Sequence, residues 1–331
     1  MDIKNCREIR QQADSALSSA SYSPRKLAML YGGVLMGFSL LLTVINFILA
    51  RQIDSTGGLS GLGMRTTLTT IQSMLQFAST VLMPFWEIGF LAAAVGMVRN
   101  QKTEPGTLLQ GFSRFGSVLW LLVLQSVLLG AIGVLCFNIS MGIYMLTPLS
   151  SSLIEALGPV METANATGQI PMDDATMSMV LGKMVPGLVI FLVLYLLIAI
   201  PLLYRFRMAR YLVMDTPRMG GMTALFCSAR MMKKNCINLF KVDLSFWWYY
   251  VLQTLFSTLC YGDLILKMVG IKLPLPPEAA YFLFYVLYAV LQFLLVTYAK
   301  AKLETTYAVV YDRLRFNLEQ SRQQIVPPQQ Q

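Results

Sequence analysis

Histidine is absent from the 331 residues, and with it goes the side chain that most often serves as general base or metal ligand near neutral pH. Cysteine is scarce: there are five, an odd number with no C-x-x-C spacing, which argues against a disulfide framework or a zinc ribbon. Cys136 and Cys260 lie in apolar runs and Cys6, Cys227 and Cys236 in polar segments, so all five read as reduced packing residues. Charge is sparse as well, at 13% of the chain, about half the share found in a soluble domain. No Gly-rich phosphate loop, H-E-x-x-H, G-x-S-x-G elbow or pair of intramembrane aspartates occurs. These absences remove the familiar hydrolytic and metal-assisted routes. The expectation is a protein that is not an enzyme, with no catalytic residue, no cofactor and no metal.

What is present is apolar. Hydrophobic residues make up 56% of the chain and the mean hydropathy is +0.59, leaving too little polar surface to cover a water-soluble globule. At 1.5 Å rise per residue, a hydrocarbon layer of about 30 Å needs about 20 apolar residues per crossing. Runs of that kind predict an all-α fold: a polytopic membrane helix bundle with six transmembrane helices, at about 27–50, 67–98, 116–146, 184–204, 244–261 and 279–298. Cytoplasmic amphipathic helices accompany it. Residues 1–26 form one such segment, with Ile3, Cys6, Ile9, Ala13 and Leu17 along a stripe. The loop 205–241 holds another, with Met222, Leu225, Phe226 and Ala229 on one face. Residues 301–331 form a polar helix followed by a Gln/Pro tail.

The positive charge orients the bundle. Of 26 Lys and Arg, only Arg51, Arg65, Lys183, Lys267 and Lys272 fall on the side away from the amino terminus, leaving 21 with it. Excess Lys and Arg mark the cytoplasmic side, so both termini are expected there and the acidic segment 147–183 outside. The same rule accounts for the net charge of +9 without nucleic acid, since no recognition motif accompanies it. The partners implied are the lipid bilayer, its anionic lipids and another membrane protein. An echo also links two cytoplasm-facing entries: Phe112, Trp120, Val123, Leu124 and Gln125 match Phe240, Trp248, Val251, Leu252 and Gln253 at an offset of 128, the pattern of a duplicated helical hairpin.

Glu87 is the most informative single residue. It precedes Arg99 by 12 positions, about 18 Å along a helix, which predicts a carboxylate near mid-membrane. Such a group is costly unless protonated, paired or facing water, so Glu87 is either a functional site or a carboxyl bonded to a neighbouring helix beside Pro84. Arg205, Arg207 and Arg210 extend the fourth crossing into the cytoplasm. They read either as a collar for anionic headgroups or as orienting charge.

Six blocks resemble a known bacterial family of multi-pass membrane proteins, the domain of unknown function 975. They are REIRQQADSAL (Arg7–Leu17), WEIG (Trp86–Gly89), GF (Gly111, Phe112), ARYLVMDTP (Ala209–Pro217), SARMMKKNCINLFKVDLSFWW (Ser228–Trp248) and TTYAVVYDRL (Thr305–Leu314). The resemblance covers most of the chain except the acidic loop. It implies a bacterial cell-membrane location and brings no substrate, reaction or catalytic residue with it. Two readings of different class follow. The first is a non-enzymatic membrane module that binds or moves a small amphiphile or serves as a partner in an envelope or export complex. The second is an intramembrane enzyme acting on lipids.

Overall fold

The structure is a computed structural model that describes residues 5–55, 62–148, 150–151, 155, 157–158, 174–216, 219–262, 265–266 and 277–325. Most of the acidic loop expected at 147–183, with Asn165, lies outside them, as do Asp263, Lys267, Lys272 and the Gln/Pro tail. Among the described residues every regular element is helical: α1 Cys6–Ser19, α2 Pro24–Ser55, α3 Leu62–Val98, a 3₁₀ turn Pro105–Leu109, α4 Gln110–Ser113, α5 Phe115–Met145, α6 Asp174–Phe206, α7 Ala209–Asp215, α8 Gly221–Met232, α9 Cys236–Leu244, α10 Trp247–Leu259, α11 Pro277–Leu295, a π-helical turn Val296–Lys300 and α12 Ala301–Ile325. The bundle is all-α.

Five helical stretches are long and apolar enough to cross a membrane: Pro24–Leu49, Thr66–Val98, Phe115–Met145, Gly182–Asp215 and Ala279–Gln320. They give the chain the makeup of a membrane protein and correspond to five of the six expected crossings. The other, expected at 244–261, is α10, whose 13 residues span only about 20 Å. Its start is set back because the chain turns at Ser245 and Phe246, where Phe246 N–H donates to the Asp243 carbonyl at 2.8 Å. The last expected crossing is likewise redrawn. Rather than ending near 298, α11 runs through the π turn into α12 without a break.

The chain divides into two compact units, one of residues 1–121 with 208–331 and one of residues 122–207. In the larger unit α3 is the hub. Of its most apolar stretch 56% is buried, against 17% or less for the other four, so its neighbours are protein and not solvent or lipid. Leu27, Ala28 and Tyr31 of α2, Phe90, Ala93 and Met97 of α3, Leu108 and Ala301 form one buried cluster, with the Tyr31 and Phe90 rings 4.8 Å apart. Pro84 sits inside α3 without ending it.

The closest packing joins α3 to the segment after it, through WEIG and GF. A Cβ placed on Gly89 would stand 1.8 Å from the Leu108 carbonyl oxygen, and one on Gly111 would stand 1.9 Å from that of Phe85. Only glycine lets two backbones come this near. This contact folds the 3₁₀ turn and α4 back onto α3, and the reversal before it uses Asn100 at φ 54°. Arg114, at the end of α4, donates to the Val213 and Thr216 carbonyls at 2.6 and 2.9 Å, which would otherwise be loose ends of α7.

The two amphipathic helices pack in different ways: α1 along its expected stripe, α8 through its small residues. α1 buries Ile9, Ala13 and Ala16 against α12 and α3. α8 buries Gly221, Ala224, Leu225, Ser228, Met231 and Met232 and leaves Met222 and Phe226 exposed. Of the expected apolar face, Leu225 is buried while Met222 and Phe226 are turned outward, where an interfacial helix would carry them. Small residues, which carry little hydropathy, decided the contact because they allow close approach. α4 and α9 are each short helices ended by a turn, at Arg114 and at Ser245–Phe246, but at the offset of 128 the start of α5 falls on Asp243, inside α9.

In the smaller unit α5 and α6 pair. Tyr144 hydroxyl donates to the Lys183 carbonyl at 2.8 Å and the Phe137 and Phe191 rings meet edge to face at 6.0 Å. Asn138 turns its amide onto the Val134 carbonyl at 2.7 Å.

Candidate functional site

Three elements of the larger unit bring charge together: α3, α7, and the run from the π turn into α12. Arg210 of α7 donates to Glu87 of α3 at 3.0 Å. Lys300, the last residue of the π turn, lies 3.7 Å from Glu87 and 2.8 Å from Glu304 one turn on. Tyr211, next to Arg210, donates to Glu304 at 3.0 Å. The result is a closed circuit in which two cations face two carboxylates. Tyr31 of α2 and Tyr249 of α10 border it, both almost fully buried.

Glu87 is therefore not a lone carboxylate between apolar helices. Arg210 and Lys300 come from segments that the charge count placed on the cytoplasmic side, and the hub helix delivers Glu87 to them. Of the three arginines singled out from sequence, Arg210 joins it. Arg205 is exposed in the last turn of α6, and the Arg207 guanidinium lies 6.0 Å from the centroid of the Tyr204 ring.

A second cluster forms around Arg99, immediately after α3. Its guanidinium holds Asp215 with two bonds of 2.5 and 2.9 Å and Asp312 with three, of 2.6, 3.2 and 3.3 Å. Burial works against the charge of Arg99, and the hydrogen bonds and negative charge of Asp312 outweigh it, so the guanidinium is held above its ordinary pKa. Asp215 also accepts from Arg315 and from Tyr311 at 2.7 Å, and the Tyr211 and Tyr311 rings stack at 5.3 Å. Here again two cations are set against two aspartates. The planar fork of arginine suits this double duty; a lysine would supply a point charge without the paired geometry.

Two further contacts complete this end of the bundle. Asp243 of α9, itself 7% exposed, accepts from Tyr307, whose hydroxyl is 2.7 Å from that of Tyr250. Arg313 reaches back to α1, bonding Glu8 at 2.6 Å and Gln12 at 2.8 Å, and Lys302 pairs with Asp14 at 2.8 Å. Between α1, the end of α3 and α12 an open cleft of about 480 Å³ remains, lined by Gln12, Val98, Arg99, Asp312, Arg313, Arg315, Phe316 and Glu319. Its wall combines arginine forks with the apolar Val98 and Phe316. Among the described residues no group of three or more His, Cys, Asp or Glu is placed to hold a metal ion.

Sequence reasoning found Glu87 and missed the residues that hold it. Lys300 and Glu304 were legible as an i, i+4 pair on one helix face. Asp215, Asp243, Tyr307, Asp312 and Arg313 all lie in the blocks that carried the family resemblance, and the structure gathers those blocks at one end of the bundle. That resemblance holds. The chain belongs to the family described as a protein of unknown function, DUF975, whose profile matches residues 7–317. Comparison with curated proteins and with solved structures gives no match.

Proposed function

We propose that this protein is a non-enzymatic module of the bacterial cell membrane, multi-pass with both termini in the cytoplasm, that binds or moves a small amphiphile at its charged end. The cleft of about 480 Å³ carries this reading. Arg99, Arg313 and Arg315 share its wall with Asp312 and Glu319, a mixed set that suits a polar or charged head, and Val98 and Phe316 offer an apolar strip beside them. A molecule of mixed polarity is what such a wall accommodates. The pairing of Glu87, Glu304, Asp215 and Asp312 with cations supports a binding role over an enzymatic one. Carboxylates locked in balanced ion pairs are anchored, not poised to take up and release a proton. The orientation rests on the 21 of 26 basic residues that share the side of the amino terminus.

The test is gentle extraction in a lipid-mimicking polymer, followed by mass spectrometry of whatever stays bound. An anionic amphiphile should co-purify, and Arg315→Gln should weaken its retention roughly tenfold, the worth of one charge-assisted hydrogen bond. Recovery of a stoichiometric protein instead would move the assignment to a partner in an envelope or export complex. If nothing is retained and cleft substitutions leave every phenotype of gene deletion uncorrected only where they unfold the protein, the binding reading fails.

A further inference from the structure

α9 turns one face inward and one outward. Inward, Leu239 and Val242 are buried and Asp243 is held by Tyr307, which fastens the helix to the bundle. Outward, Ile237 is 72% exposed, Phe240 51% and Leu244 58%, and Trp247 follows across the turn at 60%. Ile237, Phe240 and Leu244 have the spacing of a single helical stripe, and Trp247 opens α10 just beyond the turn. Lys233 and Lys234 precede the stripe and Lys241 lies along its flank, all three exposed. From Thr216 to Val242 the chain has five Lys and Arg and no Asp or Glu, and among the described residues no ion pair engages Lys233, Lys234 or Lys241. This is the reverse of the two arginine clusters, where every cation has its carboxylate.

We propose that α9 is an interfacial helix that docks on a leaflet of anionic phospholipid, with Ile237, Phe240, Leu244 and Trp247 entering the acyl boundary and Lys233, Lys234 and Lys241 holding headgroup phosphates. Two features select lipid over a protein partner. The stripe continues into α10, whose Val251 and Leu255 are also exposed, so the apolar surface has no polar rim on that side, as a closed protein interface would. Aromatic rings at the boundary with flexible lysine stems around them are the composition of an interfacial helix. The site is distinct from the arginines after α6, and Arg210 is committed to Glu87.

Native mass spectrometry of the full-length protein with added phosphatidylglycerol or phosphatidylcholine tests this. Phosphatidylglycerol should be retained preferentially. Each lysine near a charged leaflet is worth a factor of about five, so the triple variant Lys233→Gln, Lys234→Gln, Lys241→Gln should lose roughly a hundredfold in apparent affinity. The corresponding triple Lys→Arg variant should keep it, which separates lost charge from lost folding. Hydrogen exchange in nanodiscs should show residues 236–244 protected by phosphatidylglycerol in the wild type and not in the triple Gln variant. The proposal is overturned if the two lipids bind alike, if the triple Gln variant retains phosphatidylglycerol as the wild type does, or if the loss appears with Arg205→Gln/Arg207→Gln instead.

Discussion

Lys300→Met is the perturbation that most directly probes the charge circuit. Lys300 has a side chain 12% exposed, between Glu304 at 9% and Glu87 at 32%. Removing the cation leaves both carboxylates on the same side of a gap. Glu87 keeps Arg210 at 3.0 Å and is partly hydrated, so its loss is modest, of the order of a surface pair, at most about 1 kcal/mol. Glu304 is different. Among the described residues it retains the Tyr211 hydroxyl, and breaking a buried pair from one side costs about 3–5 kcal/mol because the remaining charge is uncompensated. Relaxation and water penetration around Glu304 limit the damage, which puts the expected loss near the lower end, about 3 kcal/mol. The second half of the experiment is Lys300→Met with Glu304→Gln. No unpaired charge is then left, Tyr211 can donate to the amide carbonyl, and stability should return to within about 1 kcal/mol of the wild type. Thermal unfolding in detergent, followed by size-exclusion fluorescence, reads both variants. A single variant as stable as the wild type, or a double variant no better than the single, would refute the reasoning.

Gly89→Ala and Gly111→Ala each drive a methyl group into a carbonyl less than 2 Å away and should abolish monodisperse expression, whereas Gly130→Ala, with no atom within 4 Å, should behave as wild type in the same chromatographic assay. Cysteine-accessibility labelling should reach positions near Asn165 in intact cells and positions near Lys233 only after permeabilisation; the opposite pattern would reverse the orientation. Turnover assays of the purified protein against a broad lipid panel should show no hydrolase or transferase activity above background, and a robust activity abolished by changing one polar residue would establish the intramembrane enzyme instead.

Hydropathy was enough to read the helical class and to locate five apolar spans, because a stretch of about 20 residues without charge has few other outcomes. Helix ends were less legible. α2 begins three residues before its apolar run and α6 ten before, since polar residues continue a helix as easily as apolar ones do. The interruption before α10 was invisible, because Ser245 and Phe246 carry no turn signature; a tertiary bond, Asp243 to Tyr307, holds the segment that ends there. Periodicity likewise reports which residues share a face and not which face finds a neighbour. In α8 the bulky Met222 and Phe226 dominated the pattern while Gly221, Ala224 and Ser228 made the contact. Glu87 stood out because it is alone among apolar residues. Arg210 read as a headgroup or orienting charge and Lys300 did not stand out, since a cation at the end of a span is expected everywhere and its carboxylate partner lies on another helix.

The π turn at Val296–Lys300 has a consequence for the phase of the last helix. A π turn accommodates one residue more than the α ladder would, and one residue is about 100° of rotation. α11 upstream presents Tyr281, Leu283, Leu287 and Leu294 outward, and its heading is set by packing on α2 and α10. Downstream, Glu304, Tyr307, Tyr311 and Asp312 must meet Tyr211, Asp243, Asp215 and Arg99. The extra residue works as an indexing step between these two demands: it lets one continuous helix keep its apolar heading in the first half and turn its polar row onto three other helices in the second. Deleting one residue from the turn would make a more regular helix and aim that row at nothing.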